Sequence, residues 1–274
     1  MRLILAMLIL TFYVEANLNI AVSIEPQKEI VQKIGKEKVG VVLMVNSGAS
    51  PHSYEPKANQ MIALSKAKLY FSVGVEFEHV WLARFKAQNK NLLIIDSTKG
   101  ITKMPMIETY HHKGNSLDPH VWTSPRNMKL MAKNIYENMA KNDTKNYEFY
   151  KANYLNLLKE IDMMDKKIRL ILSKIPKNGS FLVFHPSWGY FAKEYGLNQV
   201  SIEVEGKSIA PKALVSIIEQ SKKAKVRVII VQPEFSDKMA QSVAKALNVK
   251  IYKISTMSQN WGLNLVNFAT MISQ

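Results

Sequence analysis

From Asp143 to Ile175 the chain contains neither Gly nor Pro, and apolar residues recur at Tyr147, Tyr150, Tyr154, Leu158, Ile161, Met164, Ile168, Ile171 and Ile175. Steps of three and four residues put them on one face of a helix. Asp143 or Thr144 stands where an N-cap is needed, Pro176 cannot continue the helix, and Gly179 lets the chain turn away. At the α-helical rise such a helix is about 50 Å long, more than one ordinary domain needs. Segments of strand and helix character alternate before it and again after it. The pattern predicts two α/β lobes with mainly parallel sheets, joined by one long rigid backbone helix. A coiled-coil arm is the competing reading, but the stripe drifts toward a 3.6-residue repeat instead of holding heptads. The division read from this is 17–142 for the N-terminal lobe, 143–175 for the linking helix and 176–274 for the C-terminal lobe.

Met1-Arg2, the apolar run Leu3 to Val14 and the sequence Val14-Glu15-Ala16 form a secretory signal peptide, residues 1–16, with a mature chain from Asn17. The run is too short to span a membrane comfortably. No cysteine occurs, so neither a lipid-modified N-terminal Cys nor a disulfide is expected, and the product is read as free in a periplasm. The formal net charge is +15. Such an excess can serve nucleic acid or an acidic membrane. Here the Lys residues are spread along helix-like segments without aromatic clustering, so they read as solvated faces and no nucleic-acid partner is expected. No His-Glu-x-x-His, Gly-rich phosphate loop or nucleophile elbow is present.

Three of the six histidines share one context. His52 follows Pro51 in a turn-rich loop after a strand-like run, His120 follows Pro119 before a helix opened by Ser124-Pro125, and His185 ends a strand and precedes Pro186. Parallel α/β sheets place ligands at the carboxyl ends of their strands. A lone histidine is usually structural or simply exposed. Three in this context form a neutral imidazole set suited to Zn²⁺. His79, beside Trp81 on a helix, reads as a packed or half-exposed residue.

Pro51-His-Ser-Tyr-Glu-Pro56, Asp118-Pro-His-Val-Trp122 with Ser124-Pro125, Phe184-His-Pro-Ser-Trp-Gly-Tyr-Phe191, and Glu205-Gly-Lys207 with Pro211-Lys212 together resemble one known family. So does the stretch Val73 to Trp81. The family is the metal-binding solute-binding proteins of bacterial ABC uptake systems, in particular the ZnuA-type zinc receptors, and the resemblance covers nearly all of the mature chain. It implies a metal in the cleft between two lobes, with His52, His120 and His185 as ligands. It also implies a periplasmic receptor, a monomer with no catalytic residues, that delivers Zn²⁺ to a membrane ABC permease. Manganese-preferring relatives carry Glu where this chain has His185, and imidazole in place of carboxylate favours zinc.

Two features depart from the family pattern. Many relatives supply a fourth ligand, an Asp, where Ser255 stands here, so a water, Ser255, His111 or His112 is left to complete the set. The acidic His-rich loop of many zinc relatives is reduced to Tyr110-His111-His112-Lys113-Gly114, a pair that either collects zinc or is a solvated loop feature. A manganese or iron receptor of the same family is the alternative. A zinc hydrolase is a further one, because three His and an open position also describe catalytic zinc. Glu55 and Asp118 are the only acidic neighbours in the motifs of His52, His120 and His185, and both read more simply as partners that orient imidazole N–H groups.

Overall fold

Among the residues described, eight short strands, rich in Val, Ile, Leu and Phe, form two four-stranded parallel sheets. The structure, a computed structural model, describes residues 17–46, 48–51, 53–106, 117–202, 211–234 and 238–274. The segment read as a signal peptide, His52, His111, His112 and Glu205 to Lys207 lie outside the described residues. Among the described residues no helix is long and apolar enough to cross a membrane.

In the first lobe β1 (Leu18–Val22), β2 (Val39–Leu43), β3 (Leu69–Ser72) and β4 (Leu93–Asp96) lie in the order β2-β1-β3-β4. The connecting helices are α1 (Glu25–Gly35), α2 (Ala58–Leu64) and α3 (Glu76–Gln88), and α4 (Pro125–Asn142) follows the sheet. The second lobe repeats the order as β6-β5-β7-β8, from β5 (Ser180–Val183), β6 (Asn198–Ser201), β7 (Val228–Val231) and β8 (Lys250–Lys253). Its helices are α6 (Gly189–Tyr195), α7 (Pro211–Lys223), α8 (Lys238–Leu247) and α9 (Trp261–Ile272). Strands β3 and β7 are buried along their whole length, as parallel strands covered by helices require. In each sheet the chain order reverses between two central strands, β1 and β3 or β5 and β7. Crevices open at such switch points.

The linking helix α5 runs from Tyr147 to Leu172, after a single 3-10 turn at Thr144–Asn146. It is shorter than the pattern predicts at both ends. Asp143 does not cap it: the carboxylate accepts from Tyr150 Oη at 2.6 Å and from the Asn146 side chain at 2.8 Å. The buried face carries Tyr150, Leu157, Ile161, Ile168 and Leu172, while Tyr147 is exposed. One side of α5 meets α1 and α4, and another meets α9 of the second lobe. One buried core consequently runs without a break from Ile20 and Phe71 through Trp122 and Tyr150 to Phe181, Trp188 and Phe268. Trp188 stacks on Phe268 with ring centroids 3.6 Å apart. A smaller core of Leu182, Ile229, Val231 and Val243 fills the other face of the second sheet.

The turn from β3 to α3 is organised by a buried carboxylate. Glu78 accepts from the backbone of Val73 at 2.9 Å and of Gly74 at 2.7 Å, and from the hydroxyl of Ser23, which also meets Tyr70 Oη at 2.8 Å. Gly74 takes a φ of 92°, which an L side chain adopts only with strain. Burial pushes the Glu78 carboxyl up from its ordinary 4.5 to about 7, against the hydrogen bonds from Ser23, Val73 and Gly74 and the charge of Lys103. The folded chain holds this proton more tightly than the unfolded one, so the stabilisation is complete below about pH 4.5 and is lost as the pH rises through 7. Urea titrations with chelator at pH 5 and pH 8 are expected to show the wild type losing on the order of 3 kcal/mol more across that span than Glu78→Gln. Parallel losses in the two proteins would contradict the assignment.

Candidate metal centre

His185 lies two residues beyond the end of β5, at the switch point of the second sheet, and is buried. The neighbouring strand fixes its level: Phe184 N donates to Ile230 O of β7 at 2.8 Å. Just beyond, Gln232 Nε2 donates to Ser187 Oγ at 2.9 Å, so the two strand ends are joined by side chains as well. His120 arrives from the first lobe. Its segment enters through a bridge between Pro105 and Leu117 and leaves through a 3-10 turn at Val121–Thr123 into α4, which Ser124 caps by accepting from Asn127 N at 3.1 Å.

The two imidazoles meet across the lobe boundary. Their ring centroids are 5.3 Å apart with the planes at 72°, and both residues are buried. Asp118 governs the His120 ring: Oδ1 lies 2.7 Å from Nδ1 and accepts the His120 backbone N–H at 2.9 Å. A carboxylate accepts only, so it holds the proton on Nδ1 and leaves Nε2 as a free-electron-pair donor. This is the arrangement by which a carboxylate orients a metal-binding imidazole. Asp118 is itself buried, and Gly189 lets the second lobe close over it: a Cβ there would stand 3.1 Å from Asp118 Oδ2.

Of the predicted ligands, the fold thus brings His120 and His185 together, whereas His52 lies outside the described residues. The loop around His52 is anchored on both sides. Pro51 O accepts from Phe77 N of α3 at 3.2 Å, and Tyr54 Oη donates to Gln60, whose Nε2 reaches Leu43 O and Met44 O at the end of β2 at 2.7 and 2.6 Å. Glu55 is exposed, as is His79 on α3. Among the described residues no three His, Asp or Glu side chains form a group able to hold an ion.

Ser255 follows β8 and is already engaged. Its hydroxyl donates to Glu234 and accepts from Met257 N at 3.1 Å. The local sequence assigns no role to Glu234, three residues beyond β7 in Gln232-Pro-Glu234, or to Tyr190, whose hydroxyl donates to Asp118 O at 2.8 Å. Only its position after a predicted strand marks Glu234, and only its place in the Phe184–Phe191 motif marks Tyr190.

Comparison with known proteins places the chain in one family of metal-binding receptors. The family model for the periplasmic zinc-uptake complex component A, ZnuA, matches residues 20–273. The high-affinity zinc uptake system protein ZnuA of Bacillus subtilis (strain 168) is 29% identical over 253 residues, 88% of this chain and 79% of its own length. A manganese ABC transporter substrate-binding lipoprotein, PsaA, of Streptococcus anginosus is 26% identical over 238 residues, 82% of this chain and 75% of its own. A crystal structure of ZnuA superposes with a TM-score of 0.87 at 34% identity, covering 94% of this chain and 98% of that one.

Removing the carboxylate that orients His120 is expected to weaken binding of a divalent ion by about 10- to 100-fold. Competition against a chromophoric chelator reads this directly for Asp118→Ala. An affinity equal to the wild type would mean that the His120 ring is not a ligand or needs no orientation.

Proposed function

Because the chain belongs to the ZnuA family of periplasmic metal-binding receptors of ABC importers, we propose that its cargo is Zn²⁺, bound with high affinity and handed to a membrane ABC permease. The observation that carries the zinc reading is the spacing of His120 and His185. Two imidazoles on one tetrahedral ion, with Zn–N bonds of about 2.0–2.1 Å, have ring centroids roughly 5 Å apart. The observed 5.3 Å fits that geometry without movement of either lobe. Neutral nitrogen donors also favour zinc over the harder manganese ion.

In this reading His52 completes a three-imidazole set with His120 and His185, Asp118 holds His120 in the binding tautomer, and a water fills the fourth position beside the engaged Ser255. The chain is exported by residues 1–16, works as a monomer in the periplasm, and binds and releases without catalysing a reaction. A manganese or iron receptor is the competing reading, supported by the similarity to a manganese-binding lipoprotein.

An ion that binds only the native state stabilises it by RT ln(1 + [L]/Kd), about 4 kcal/mol at a thousandfold excess over Kd. Zinc at that excess is expected to raise the melting temperature by several degrees, and His120→Ala and His185→Ala should each abolish most of the shift. Manganese at the same concentration should shift it far less. A larger shift with manganese than with zinc would replace the zinc reading by the manganese one.

A further inference from the structure

Helix α6 begins four residues after His185, and it lies against the segment that carries His120. Two of its side chains, Tyr190 and Glu194, are four residues apart and share one face. Each makes contacts that cross from the second lobe to the first. Tyr190 Oη donates to Asp118 O at 2.8 Å and accepts from Met104 N at 2.9 Å, so it clasps both strands of the bridge that leads into His120. One turn later the Glu194 carboxylate accepts from Ser124 Oγ, the N-cap of α4, and lies 3.4 Å from Arg126 N. A carboxylate at the positive end of an 18-residue helix is favourably placed. Arg169 of α5 stands 3.9 Å from its other oxygen, and its own position is set by Asp165 at 3.0 Å.

These contacts bracket His120 on both sides, at Asp118 before it and at Ser124 after it. The same short helix is covalently continuous with His185 through Pro186, Ser187 and Trp188, the last fully buried. The gap between the two imidazoles is therefore closed by a short path through α6, while the path through the linking helix is long. We infer that the face of α6 carrying Tyr190 and Glu194 is a bracket across the lobe boundary that sets the separation of the His120 and His185 rings. Tyr190 and Glu194 are thus positioning residues for the bound ion. The inference rests on the reading of this pair as metal ligands. Neither residue touches the ion; both act through the backbone on either side of His120. Glu194 borders an open cleft of about 780 Å³, so a substitution there neither overpacks nor empties the core.

The experiment uses the full mature chain with Tyr190→Phe, Glu194→Gln and the double variant. Zn²⁺ affinity is read by competition, and the visible spectrum of one equivalent of Co²⁺ reports the coordination geometry. Each single variant is expected to lose zinc affinity by about tenfold and the double variant by more, with shifted cobalt bands. Unchanged affinity and an unchanged cobalt spectrum in both single variants would overturn the inference, whatever happens to the melting temperature, because a merely structural tie moves only the latter. Should Tyr190→Phe fail to fold, Ser124→Ala cuts the Glu194 tie from the opposite side and is expected to give the same loss. His120→Ala, measured in parallel, separates the two failures. If it binds zinc like the wild type the ligand reading is wrong, whereas if it fails to bind while the α6 variants bind normally only the bracket is wrong.

Discussion

The structure depends on how Trp122 is wedged between the lobes. Its indole is fully buried two residues after His120, and its Nε1–H donates to Thr256 O of the second lobe at 2.9 Å. Its own carbonyl accepts from Trp261 Nε1 at 2.6 Å, and Trp261 N in turn donates to Glu29 of α1 at 2.6 Å. Buried indole N–H groups need partners, and those of Trp122 and Trp261 each find one on a backbone carbonyl. The result ties the segment carrying His120 to the start of α9 and to the first helix of the chain. A shift of one lobe over the other would break these bonds inside a buried, continuous core, where an unmade hydrogen bond is costly.

A binding protein made this way differs from a pair of lobes on a flexible hinge. Helix α5 spans both lobes without Gly or Pro, so it offers no joint. The core is shared by both sheets, and the polar contacts of Tyr190, Glu194 and Trp122 are added to it across the same boundary. On the inference drawn for α6, these bonds hold the imidazole pair at its spacing before an ion arrives. Preorganisation of this sort lowers the ordering cost of binding and sharpens the choice between ions that differ in preferred geometry. The loop after β2 is tied to the first lobe by the contact of Pro51 with α3 and by Tyr54 through Gln60.

The readable part of this molecule lay in local patterns. The α/β alternation, the capping of α4 by Ser124 with Pro125, the linking helix and the placement of His120 before a helix and of His185 at a strand end all follow from periodicity and turn chemistry within a few residues. Element ends were less legible. The linking helix starts at Tyr147 because Asp143 is bound to Tyr150, and β6 begins at Asn198, two residues before its apolar run, because pairing with β5 runs from Ser180 to Val183. Register between strands is decided by the neighbour, which no single segment contains.

The sequence by itself therefore determined the two-lobed α/β plan, the helix that joins the lobes and the residue types of the site, since apolar periodicity, caps and imidazole chemistry are properties of short stretches. Only the tertiary structure decided that His120 and His185 come within 5.3 Å, that Asp118 turns the His120 ring, and that Ser255 is engaged by Glu234. It also decided that Tyr190 and Glu194, on α6 of one lobe, contact the segment of the other lobe that carries His120. These are contacts between residues from 21 to 86 positions apart, Asp118 with His120 excepted. Their geometry is set by how two sheets and a shared core pack, and a side chain's own neighbours along the chain carry no trace of that.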